Sequence, residues 1–175
     1  MNEIKLGQVG GLKLSALPSA IVGSMVLWVV LSGVAVVLLR LSLVSAVIGG
    51  LVAVALHWTS EVVHQFGHAW AARRVGHPMT GIRFWGVLST SLYPSDEPSL
   101  PAAIHIRRAL GGPAASLVLS VVAALAALAL RSMGGMLWWL AVFLFLGSFF
   151  VMTLGALTPL GFNDGGTLMQ WWGKP

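Results

Sequence analysis

Four apolar runs without a formal charge, Ser19 to Leu39, Leu41 to Thr59, Ala109 to Leu130 and Ser132 to Leu154, set the terms on which this chain can fold. Each comes close to or exceeds the roughly 20 residues that a helix needs to cross a hydrocarbon core about 30 Å thick. Inside lipid the backbone has no water to bond, so such runs must become helices, which satisfy their polar groups internally. Composition agrees: 57% hydrophobic and 9% charged residues, with a mean hydropathy of +0.89, lie outside the range of soluble globular domains. The expectation is an α-helical polytopic membrane protein with about four transmembrane helices, forming one membrane-embedded domain over residues 1–175. The first run is longer than the roughly 7 to 15 residues of a signal h-region, so it is read as an anchor.

Four spans put both termini on one side. With the N-terminus inside, Lys5, Lys13, Arg73, Arg74, Arg83, Arg107, Arg108 and Lys174 are inside, and only Arg40 and Arg131 are outside. That bias follows the positive-inside rule and predicts cytoplasmic termini. The net charge of +5 then reports topology and contact with anionic membrane lipid. No basic cluster with interleaved aromatics points to a nucleic-acid partner.

Between spans two and three lies one long polar interval, Gly76 to Arg108, carrying Pro78, Pro94, Pro98 and Pro101. Its prolines argue against helix. Within it, GIRFWGVLSTSLY has strand-forming residues on both sides of Gly86, which predicts a short hairpin. The N-terminal IKLGQVGGLKLS is expected to add a further strand. Strands with open edges cannot face lipid, so this small hairpin or sheet belongs at the cytoplasmic interface or against protein.

The chemistry concentrates at HQFGH, His64 to His68. At about 100° per residue, His57, Glu61, His64 and His68 fall within roughly 60° of one another, one polar stripe on an otherwise apolar helix. Ionisable groups at membrane depth are costly and usually mark a site or pathway. Histidines at i and i+4 on one helix face are half of a zinc site. The chain has no cysteine, so any further ligand is nitrogen or oxygen. Asp164, in ALTPLGFNDGG directly after the fourth run, is the acidic residue beyond Glu61 that lies near a membrane segment. Pro159, Gly161, Gly165 and Gly166 allow the backbone to bend its carboxylate back toward the bundle. Asp164 could equally cap the following helix, and spacing alone leaves both readings open.

With these motifs in place the chain resembles the site-2 protease family of intramembrane zinc metalloproteases, which pair an H-E-x-x-H helix with a distant N-x-x-P-x-x-P-x-D-G segment. The first motif is matched by HQFGH followed by AWAARRVG, and the second by Ala156, Pro159, Phe162, Asp164 and Gly165. GGPAAS, Gly111 to Ser116, is similar to the family's G-P-x-x-N segment, with Pro113 on the proline, and LGQVGGLKL resembles its N-terminal strand. The resemblance implies one zinc ion on His64, His68 and Asp164. It also implies an endopeptidase that cleaves the membrane segment of a single-span protein, with the hairpin presenting the unwound segment as an added strand. Glu61, His57, Pro113, Ser116, Ala156 and Pro159 would then orient ligands or position substrate.

Gln65 departs from the pattern where it matters chemically, since the family has a glutamate there that takes the proton of the attacking water. An amide can hydrogen-bond water but cannot accept its proton, and general-base terms are worth about 10² to 10⁴ in rate. Ala156 and Phe162 also replace the motif's asparagine and second proline, and Ser116 stands where asparagine is frequent. A slow or inactive protease is therefore expected, with a non-catalytic relative that binds metal and transmembrane segments as a regulator as the alternative. Glu61, one turn before His64, could serve as a replacement base, orient a ligand histidine or pair with His57, and of these the orienting role is the one expected. Two-histidine haem ligation is disfavoured because spans one, three and four contain no histidine, and an ion carrier because they contain no ionisable group.

Overall fold

The computed structural model describes residues 3–174. Two strands open it, β1 (Ile4–Val9) and β2 (Leu12–Ala16), followed by helices α1 (Pro18–Val37) and α2 (Leu43–Arg74). Strands β3 (Gly81–Trp85) and β4 (Leu88–Leu92) come next, then α3 (Ala102–Leu130) and α4 (Gly135–Leu146), which continues as a π-helical segment over Gly147–Gly155. A short α5 (Asp164–Trp171) follows. Four of the helices, the π segment counted with α4, are long and apolar enough to cross a membrane. The polytopic reading therefore stands.

The sheet runs β1-β2-β3-β4, antiparallel, parallel, antiparallel. The N-terminal stretch expected as one strand is a complete hairpin. Gly10 and Gly11, both at positive φ (56° and 83°), form a two-residue turn of the kind that fits strand twist and that side-chain-bearing residues enter at a cost. Its second strand pairs in parallel with β3, with α1 and α2 as the crossover. Leu12, Ile82 and Phe84 pack on Ala20 of α1 and on Ala69 and Ala72 of α2. The sheet thus seals the end of the bundle where α1 begins and α2 ends, and β4 is left as a free edge.

Two boundaries differ from expectation for clear reasons. α2 has 32 residues, about 48 Å at 1.5 Å each, and so carries the histidine stripe well past its apolar run. α3 starts at Ala102, within the interval expected to lack helix. Pro101 sits just before the helix, with φ −57°, where its missing N–H costs nothing, and no proline follows until Pro113. α2 and α3 meet at two glycines: a Cβ on Gly67 would strike the Gly111 carbonyl, and a Cβ on Gly111 the Gly67 carbonyl. Such close contact is how membrane helices associate without a hydrophobic driving force between them.

Candidate metal centre

His64 and His68, one turn apart on α2, turn their imidazoles to a common point with Nε2 atoms 3.0 Å apart. Asp164 arrives from the start of α5. Its Oδ2 lies 3.2 Å from His64 Nε2 and its Oδ1 3.3 Å from His68 Nε2. Ligand atoms on a tetrahedral ion with bonds of about 2.0–2.1 Å stand about 3.3 Å apart, so the spacing suits a zinc-sized cation.

The far side of each ring sets its protonation. His68 Nδ1 lies 2.8 Å from the Arg108 carbonyl, which can only accept, and 3.3 Å from the Gly112 N–H; the closer carbonyl places the hydrogen on Nδ1. His64 Nδ1 meets Ser116 Oγ at 2.9 Å and can donate in the same way. Both Nε2 lone pairs then face each other and a carboxylate, an arrangement that a shared cation relieves. Gly112 makes room for it, because a Cβ there would run into the Nε2 atoms of both histidines. Pro113, buried beside it in α3, supplies no N–H of its own to the helix.

Asp164 is free to turn inward because a neighbour caps the helix. Asn163 Oδ1 accepts from Gly166 N at 3.0 Å and from Leu160 N at 3.2 Å, while its Nδ2 donates to the carbonyls of Thr158 (2.6 Å) and Gly155 (3.2 Å). The capping alternative for Asp164 thus falls to Asn163, a residue the sequence reading passed over although asparagine is among the best N-caps. Trp171, at the other end of α5, stacks on His105 with ring centres 4.1 Å apart.

The stripe divides. His57, half-buried, bonds the Val87 carbonyl in the β3–β4 turn at 2.8 Å and lies apart from the trio. Glu61 is paired with neither His57 nor a ligand histidine; it accepts from Ser89 Oγ on β4. Gln65 is held at both ends by the same strand, its Nε2 donating to Ser89 Oγ (3.0 Å) and its Oε1 accepting from Ser91 Oγ (2.6 Å). These β4 serines carried no signal in the sequence beyond strand propensity.

A cleft of about 640 Å³ runs past the trio, with β4 along one wall and the π segment and the loop before α5 along the other. Ala156 and Phe162 line it; Pro159 is exposed and does not. Arg108, counted in the sequence only as an inside charge, is buried at its rim. Its guanidinium grips Glu97 at 2.5 and 2.9 Å and lies 4.0 Å over the Tyr93 ring, pinning the loop before α3. The guanidinium holds the Glu97 carboxyl below the usual range.

No protein-family model and no curated protein matches the chain. Among solved structures, the Site-2 Protease from Methanocaldococcus jannaschii superposes with a TM-score of 0.64 over 97% of this chain and 70% of that one, at 19% identity. The fold is that of a site-2 protease. With four helices long and apolar enough to cross a membrane, this fold is that of an integral, multi-pass membrane protein. Within that site-2 protease fold, the two histidines of α2 and the aspartate of α5 are the described His, Asp or Glu groups that come together as a metal-sized cluster.

Proposed function

We propose that the protein is an intramembrane zinc endopeptidase of site-2 protease type, forming one membrane-embedded domain and acting on the membrane segment of a single-span protein. The observation that carries this reading is the convergence of His64, His68 and Asp164 at 3.0–3.3 Å in a cleft beside a free strand edge. A zinc ion on these three residues would polarise a scissile carbonyl and acidify water. Ser116 and the Arg108 carbonyl fix the rings that hold it, and Gly112 keeps their meeting point open. The β4 edge offers backbone donors and acceptors to an unwound segment. The amide of Gln65 takes no proton, so turnover depends on another acceptor or is about 10² to 10⁴ slower than with a carboxylate there. The bonds that tie Gln65 to Ser89 and Ser91 favour a second reading, a non-catalytic protein that binds metal and membrane segments as a regulator.

Elemental analysis of the purified protein should find one zinc per chain, and Asp164→Ala should remove most of it while membrane insertion is kept. Full occupancy in that variant would overturn the ligand set. Cleavage of a single-span peptide with a helix-breaking membrane segment separates protease from regulator. Both termini are proposed to be cytoplasmic. Cysteines introduced at the exposed Ser95 and Ser132 should then label from opposite faces of the membrane; labelling from one face refutes this topology.

A further inference from the structure

The polar contacts between α2 and β4 have a direction. Glu61 is 3% exposed, and Ser89 Oγ donates its single hydrogen to Glu61 Oε2. The Gln65 atom 3.0 Å from the same hydroxyl must therefore donate to it, which puts the amide nitrogen there. Ser91 Oγ, donating to Gln65 Oε1 at 2.6 Å, locks the amide in that orientation. Ser89 has then given its hydrogen to Glu61 and accepted one from Gln65. One lone pair remains, on a residue that lines the same cleft as His64, His68 and Asp164.

We propose that Ser89 and Glu61 form the proton-accepting unit of this chain, with Ser89 the catalytic residue that meets the attacking water and Glu61 the acceptor behind it. The proposal rests on the endopeptidase reading and names a group for the task Gln65 cannot perform. As the water oxygen bonds the scissile carbonyl carbon, an O–H bond of the water breaks and that proton passes to Ser89 Oγ. The hydrogen already on Ser89 passes to Glu61 Oε2, leaving the serine hydroxyl unchanged and the carboxylate protonated. When the C–N bond breaks, the proton returns by the same two hops to the leaving nitrogen, and Glu61 is again a carboxylate. Ser89 bridges the displacement of about 6 Å along α2 between Glu61 and position 65, four residues at 1.5 Å each, which no direct hydrogen bond to the same water would span. Gln65 becomes a requirement of the unit. A carboxylate at position 65 would leave two acceptors competing for one serine hydrogen.

The test uses the full chain loaded with zinc in phosphatidylcholine vesicles and a single-span peptide carrying an Asn-Pro break in its membrane segment. Glu61→Gln and Ser89→Ala should each lower kcat by about 10² to 10⁴, with KM and zinc content by elemental analysis unchanged. Glu61→Asp should recover part of the loss. Adding Gln65→Glu to Glu61→Gln should restore turnover, since it returns one carboxylate to the cleft; a structural defect at Glu61 would not be repaired this way. If the starting protein cleaves and Glu61→Gln keeps its kcat within about threefold, against that range, the relay is refuted and the endopeptidase reading survives. If only Gln65→Glu cleaves, the relay is again refuted, because the fold lacks only its base. If neither protein cleaves, or zinc does not bind, the endopeptidase reading fails and takes the relay with it.

Discussion

Helices α1 and α2 are both membrane-length and apolar, yet one is an anchor and the other holds the site. In α1 only Ala20 and Ala35 are buried, and residues such as Val29, 68% exposed, look outward. In α2 the buried residues are Ala, Gly, Ser and Val, with the exceptions Glu61, His64, Gln65 and His68. Small side chains let α3 come close, and the close approach excludes lipid from the polar ones. Hydropathy therefore decides that a helix spans. The positions of its small residues decide whether it can enclose chemistry.

Glycine substitutions test this contrast most severely. Gly112→Val puts a Cβ between the two Nε2 atoms and should weaken zinc binding by more than about 100-fold, beyond the usual loss from disturbing a ligand's support. Gly33→Val in α1 points its Cβ into open space and should leave zinc affinity unchanged in a competition titration. Equal losses in both would mean that the glycine effect is one of general stability.

Serine bonds test it next. Ser116→Ala removes the acceptor on His64 Nδ1 and should cost about 10- to 100-fold in zinc affinity. Ser24→Ala in α1 removes the partner of the Trp58 indole N–H, 3.0 Å away, and should alter thermal stability but not zinc affinity. A zinc loss below threefold in Ser116→Ala, against that range, would show that the ring is oriented by packing.

Helix caps give the smallest difference. Asn163→Ala frees the start of α5 and should cost about 1 kcal/mol, or roughly fivefold in zinc affinity, because it loosens Asp164. The comparable cap of α2, Ser42 on Ser45 N at 3.3 Å, lies at the start of the helix whose later turns carry the histidines, and Ser42→Ala should leave the zinc titration unmoved.

What could be read directly from the residues was local. Apolar length marked the four spans, GIRFWGVLSTSLY marked the β3–β4 hairpin, and a four-residue spacing put His64 and His68 on one face, because helix and strand periods act over a few residues. The Gly10-Gly11 turn was legible in the same sense but went unread, and the helical start of α3 was hidden by prolines whose effect ends at Pro101. Tertiary structure decided the rest: that Asn163 caps α5 while Asp164 turns inward, that Glu61 answers to Ser89, and that Gln65 is held by β4. The Asp164 contact joins residues 100 apart in the chain and the Glu61 contact residues 28 apart. Which of several polar groups finds which partner over such distances depends on how closely the helices and sheet approach, and no local period carries that information.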